Sequence, residues 1–412
     1  MFKPLTLFCT AISCLAACAS GPVDPAIDVS SRSDGRHTSS LAMARSLMRS
    51  AEPALAFDPS MPPDSFPHWR RRMSAQMAQL IRHPSAPERE PQRVKSVARD
   101  GYSISRWETY PLPGCVVAVY VLVPDGVDAA HPARGAALCI PGFGGTKEQL
   151  AGEAEGDYML EKPRPEGDIP VSAMARFFAE RGLVAVAVDN VSFGELADDE
   201  GWDYELISRH LLECGWSYLG MTSWQDKVVL DWMKTLPGVP ADRIIVSGFS
   251  LGTEPLMALG LLDDSVCAFV YNDFLCRTRE RILAMTAPQK GRRRFPNTIE
   301  HLIPGFLTQF DFPDIVAALA PRPVICTEGG LDRDFRLVRR AYELAGATAD
   351  AFEFHHYPKF DADSVRSDIQ EVPAGIDRDT YFRLCNIDPP HHCFKTELVD
   401  RWLDRILPPA SR

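Results

Sequence analysis

A chain of 412 residues, 45% hydrophobic and 24% charged, has the mixture of an ordinary globular protein and ample apolar material for a buried sheet, which excludes disorder throughout. A formal net charge of -11 argues against a surface built to grip phosphate backbones, so nucleic acid is not an expected partner. One basic run, Lys290 to Arg294, reads as a solvated loop, with a grip for a carboxylate-bearing substrate as its alternative.

Lys3 precedes an apolar run from Leu5 to Leu15 that ends in Leu15-Ala16-Ala17-Cys18. The run is shorter than the roughly 20 residues that span a bilayer, so it reads as an export signal over residues 1–18. The Leu-Ala-Ala-Cys end resembles a bacterial lipobox, which implies cleavage before Cys18 and lipid on that cysteine; a plain secretory signal cut elsewhere is the alternative. Two acyl chains on one residue anchor stably, so the expectation is an exported lipoprotein held at a membrane surface with its body in water. Residues 19–63, rich in Ser, Ala, Pro and Asp, read as a tether carrying one short helix over 39–50. Asp64-Ser65 then caps a helical pattern through Trp69, Met73, Met77, Leu80 and Ile81, giving an amino-terminal helical extension over 64–101.

From Tyr102 to the end the pattern is that of one catalytic domain, 102–412. Ser103 to Tyr110 and Cys115 to Val123 predict an antiparallel hairpin. Strands follow at Gly135 to Ile140, Val184 to Val188, Arg243 to Val246, Ala268 to Tyr271, Val324 to Thr327 and Ala351 to Tyr357. Helical stretches separate them, and a last helix runs from Lys395 to Ile406. Alternation of this kind predicts an α/β fold with a doubly wound, mostly parallel sheet. Two stretches, 153–169 and 276–308, exceed a minimal version of that fold and are either lids or substrate loops above the carboxyl edge of the sheet or mere ornament. Of the eleven cysteines, eight lie beyond the leader, several in apolar strands, and do not form a disulfide framework. No Cys-x-x-Cys or His-Glu-x-x-His spacing is present, so no metal or other cofactor is expected.

Gly248-Phe249-Ser250-Leu251-Gly252 stands between a predicted strand and a predicted helix. That is the setting in which a strained turn lifts a serine hydroxyl above a sheet. A serine hydroxyl needs a base to take its proton and an acid to orient the base, in the chain order Ser, acid, His. Asp332, after the strand Val324 to Thr327, is the expected acid, with Asp334 and Asp273 as rivals. His392, on the loop feeding the last helix, is the expected base, with His391 as its neighbour and rival; His355 and His356 read as packing or loop residues. Two backbone amides should form the oxyanion hole: Leu251, after the nucleophile, and Phe143 in Pro141-Gly142-Phe143-Gly144-Gly145. Trp202, Tyr204, Trp216 and Trp224 are either core residues or a sugar platform.

These segments, with Ala320-Pro321-Arg322-Pro323 and His392-Cys393-Phe394, resemble the dienelactone-hydrolase-like and acetyl-xylan-esterase-like bacterial branch of the α/β-hydrolase superfamily, from Tyr102 to the carboxyl terminus. The resemblance implies a serine esterase that works through an acyl-enzyme on a small-molecule or carbohydrate ester, without a cofactor. A peptidase of the prolyl-oligopeptidase type and a surface-binding lipoprotein with a silent hydrolase fold are the alternatives.

Overall fold

The computed structural model describes residues 21–408 apart from 85, 154–172, 199–202, 274, 289–296, 358–359 and 361–368. Cys18, Trp202, the basic run at 290–294 and nearly all of the 153–169 stretch lie outside the described residues. Among the described residues nine strands form one sheet: β1 (Arg89–Arg99), β2 (Tyr102–Tyr110), β3 (Val117–Pro124), β4 (Gly135–Ile140), β5 (Leu183–Ala187), β6 (Ile244–Phe249), β7 (Val266–Asn272), β8 (Val324–Glu328) and β9 (Phe352–Phe354). Their order is β1-β2-β3-β5-β4-β6-β7-β8-β9. β1, β2, β3 and β5 pair antiparallel, and every pair from β5 to β9 is parallel, as the alternating sequence predicts.

The central strands are mostly apolar, with polar residues at and near the carboxyl ends of β6, β7 and β8, because helices cover both faces of the sheet. All residues of β4 and β5 are buried. One core lies on the face carrying Leu138, Val246 and Phe269; a second, built on Ala137, Ile245, Val270 and Trp402, fills the other. Trp402 belongs to the closing helix, Thr396–Ile406. β1 is the strand that the pattern missed: it is an exposed, charged edge strand with no buried residue, paired among the described residues to β2 alone.

The amino-terminal segments differ from a tether and an extension. Asp28 lies in a buried ion cluster with Arg45 at 2.8 Å and Arg49 at 2.7 Å, so the described part of 19–63 is folded onto the body. Asp314 fixes the same segment by accepting the Phe57 N–H at 2.8 Å, and Ala54 N–H donates to the Thr308 carbonyl at 3.0 Å. The helix Phe66–Ile81 buries Phe66, Trp69, Met73, Met77 and Ile81 in the main core, against the helix that follows the Gly-x-Ser-x-Gly turn. The helix Phe66–Ile81 is thus part of the domain's core, while β1 extends the sheet at its exposed edge. Burying these five side chains releases apolar surface worth about 1.5–3 kcal/mol each before the entropy of ordering is counted. Among the described residues no helix is long and apolar enough to cross a membrane.

Candidate active site

Strand register brings the chemistry together. Ile140 of β4 pairs with Gly248 of β6, Phe249 with Asn272 of β7, and Asn272 with Glu328 of β8. The four strands therefore end level, and the residues just beyond them converge at one carboxyl edge of the sheet.

Ser250 begins a 3-10 turn between β6 and the helix Thr253–Leu262, with φ of 49°. A left-handed backbone at a non-glycine residue costs of order 1–3 kcal/mol and persists only where its surroundings impose it. Close backbone approach imposes it here. A Cβ on Gly248 would lie 2.5 Å from the Gly252 carbonyl oxygen, and one on Gly252 would lie 2.5 Å from that of Ile140. Ser250 and His392 line one pocket of about 450 Å³, together with Phe143, Leu251 and Asp273.

His392 takes its partner from Glu328 and not from the expected Asp332: its Nδ1 hydrogen-bonds Glu328 Oε1. Glu328 is the last residue of β8, and its side chain is 1% exposed. Tyr357 Oη donates to its other oxygen, and Lys395 Nζ lies 3.2 Å from that oxygen. Asp332 opens the helix Asp332–Leu344, and its Oδ1 lies 3.2 Å from His356 Nε2. A carboxylate at the strand end reaches the imidazole, whereas one four residues later has turned away with the helix. The rival Asp334 accepts from Arg277 Nε at 2.7 Å in full burial. His391 is 71% exposed and pairs with Asp388 at 2.5 Å; His355 pairs with Glu353 at 2.6 Å.

Asp273 stands on the other side of the His392 imidazole. Its Oδ2 is 3.8 Å from His392 Nε2, and its own backbone is left-handed at φ 84°. Among the described residues no hydrogen bond joins Ser250 Oγ to His392; such bonds are often long before substrate binds. Burial opposes charge on the His392 imidazole, but the Glu328 hydrogen bond and the Asp273 and Glu328 charges outweigh it, so its pKa lies above the ordinary histidine value. The imidazole packs on the Phe249 ring at a centroid distance of 4.6 Å, which limits its rotation. Asp273, Glu328 and His392 also bring their ligand atoms within 4.8 Å of one another, close enough for a metal ion, but the hydrogen bond to Glu328 already uses His392 Nδ1.

The loop 141–145 lies against Ser250: a Cβ on Gly142 would sit 2.8 Å from the Phe249 ring and 3.2 Å from Ser250 Cβ. Buried Asn190 donates from Nδ2 to the carbonyls of Pro141 and Gly142, each at 2.9 Å. Those two bonds fix the peptide planes on either side of Gly142 and so the direction of the Phe143 N–H. Below the loop, Lys147 is wholly buried with Asp189 at 2.8 Å and Glu148 at 2.9 Å. Burial disfavours the ammonium, but Asp189, Glu148 and Glu195 reverse the effect and raise its pKa. Lys147 N–H also donates to Asp189 at 2.7 Å, tying the loop's exit to the segment after β5.

A profile of the Abhydrolase family matches residues 22–405. The chain belongs to this family. As an α/β-hydrolase it is similar to a Bacteroides fragilis protein provisionally named an acetyl xylan esterase. Identity is 47% over 92% of this chain and 97% of that one, with a TM-score of 0.84. The resemblance read from the sequence motifs is therefore borne out at the level of the family. A glucuronoyl esterase from Solibacter usitatus shares the fold at 15% identity and a TM-score of 0.51, covering 81% of this chain and 96% of that one. Among curated proteins no match to this hydrolase was found.

Glu328 is the site residue that sequence reasoning passed over. Its signal was its place at the end of β8, directly before Gly329 and Gly330, which are left-handed at φ 84° and 88°. Tyr204 and Trp224 also separate in the structure: Tyr204 lines the pocket, while Trp224 is buried and donates from Nε1 to the Pro111 carbonyl at 2.9 Å.

Proposed function

We propose that this hydrolase is a serine esterase that works through an acyl-enzyme. The observation carrying the proposal is that Ser250, on its strained turn, shares a pocket with His392 while buried Glu328 holds the far nitrogen of that imidazole. In the reaction, His392 Nε2 takes the Ser250 proton as Oγ attacks the ester carbonyl. Glu328 keeps Nδ1 protonated and stabilises the imidazolium that forms. The amides of Phe143 and Leu251 receive the oxyanion, and His392 then passes its proton to the leaving alcohol. Water, deprotonated by the same imidazole, releases the acid and restores the serine.

The name given to the Bacteroides fragilis relative favours an acetyl ester on a carbohydrate as substrate. Purified protein should hydrolyse 4-nitrophenyl acetate, and Ser250→Ala should lower kcat by at least about 10³-fold, as loss of a triad nucleophile does. Unchanged hydrolysis by that variant would refute the mechanism. We further propose that the protein is exported and held to a membrane by lipid on Cys18, on the strength of the Leu-Ala-Ala-Cys end of its leader. Cys18→Ala should move it to the soluble fraction; continued membrane association would contradict the anchor.

A further inference from the structure

We propose that the pocket above Ser250 selects esters that carry a carboxylate, held between Arg281 and Arg378. This rests on the esterase reading and names the substrate class of that same site. Both arginines line the pocket that contains Ser250 and His392. Arg281 is buried, on the helix Thr278–Ala284; Arg378 is exposed and opens the helix Arg378–Leu384. One cation thus stands in the wall and the other at the rim.

Each is held in place. Arg281 Nη2 is 3.5 Å from His301 Nε2, and the opposite nitrogen of that imidazole lies 2.8 Å from buried Glu254. The Arg378 guanidinium lies over the Phe382 ring at 4.7 Å. Partial loss of hydration at the rim lowers the Arg378 pKa, Asp379 opposes that effect, and the charge of Arg281 lowers it further, so the two cations repel.

Among the described residues two carboxylates share the lining. Asp273 faces His392. Glu300 accepts the Thr298 hydroxyl at 2.6 Å and lies 3.8 Å from His301. A carboxylate bound between the arginines removes their repulsion, and the guanidinium fork matches its two oxygens in a way that a neutral ester group cannot. The carboxylate belongs either to the acyl part, as in a dicarboxylic monoester, or to the alcohol part, as in an acetylated uronic acid.

The test compares kcat/KM within two pairs: mono-4-nitrophenyl glutarate against 4-nitrophenyl butyrate, and O-acetylated glucuronic acid against O-acetylated glucose. Wild-type protein should favour the charged member of one pair. Arg378→Ala, at an exposed position, should lower that charged-to-neutral ratio by roughly 10- to 100-fold, the worth of one charge-assisted hydrogen bond. Arg378→Lys should restore part of it. The pair that responds shows which side of the ester carries the charge; a ratio that moves less than about threefold in both pairs overturns the proposal. Calorimetric titration of the Ser250→Ala protein with glutarate and with glucuronate separates this proposal from the esterase reading. Binding of either anion that weakens in the Ser250→Ala/Arg378→Ala double variant supports the arginine site even without turnover. Turnover of neutral esters without such binding leaves the esterase reading standing and removes the arginine site.

Discussion

Replacing Glu328 by Gln tests the site at its least anticipated residue. The change keeps shape and volume but removes the charge that faces the His392 imidazolium in the transition state. Glu328 is almost fully buried, so little solvent screens the pair. For charge centres about 4 Å apart at an effective dielectric constant of about 20, the lost attraction is about 4 kcal/mol, or roughly 10³-fold in kcat. Loss of the correct imidazole tautomer brings the expected decrease toward about 10⁴-fold, because a Gln amide nitrogen can turn to Nδ1 and leave the proton on Nε2. Lys395, 3.2 Å from Glu328, would then repel the imidazolium, with Asp273 opposing it from the other side of the ring. The assay is steady-state hydrolysis of 4-nitrophenyl acetate by Glu328→Gln and Asp332→Asn proteins of matched thermal stability. Asp332→Asn should stay within about tenfold of wild type, since Asp332 pairs with His356. A deep loss in Asp332→Asn with Glu328→Gln nearly intact would refute the reasoning.

Two further predictions follow from the same geometry. His392 must be neutral to act as base, and its pKa is raised, so kcat/KM should fall with decreasing pH through an inflection above the ordinary histidine value of about 6.5. Glu328→Gln should move that inflection downward, and an unmoved inflection would detach Glu328 from the base. Asn190→Ala should lower kcat by about 10- to 100-fold with a smaller change in KM, somewhat less than the roughly 10²–10³ that loss of an oxyanion donor costs. An equal rise in KM with kcat unchanged would assign Asn190 to ground-state binding instead.

The strands were legible because each central strand is a short run of Val, Ile, Ala and Cys bounded by turn residues, and burial on both faces requires such runs. β4 from Gly135 to Ile140 and the hairpin of β2 and β3 lie within a few residues of their predicted positions. β1 was not legible, since an edge strand of Arg, Lys, Glu and Pro has no periodic apolar signature and its pairing depends on β2. The folding of the first described residues onto the body was hidden for a related reason. Arg45 and Arg49 look like solvent-facing residues until Asp28 is seen beside them, and that neighbour is set by tertiary packing. Ser250, Phe143 and Leu251, which line one pocket, could be grouped from the sequence because backbone geometry calls for Gly-rich turns at those places. The acid could not be settled by spacing. The difference between Glu328 and Asp332 is side-chain direction: the end of a strand points at the imidazole, and the first turn of the next helix points elsewhere.

Reaction with a fluorophosphonate probe, read by peptide mass spectrometry, tests the role of Ser250 most directly. A serine activated by His392 and Glu328 should acquire one adduct, on the peptide containing Ser250, and Ser250→Ala should acquire none. Protein that hydrolyses an aryl acetate yet carries no adduct on that peptide, or carries it on another residue, would contradict the account.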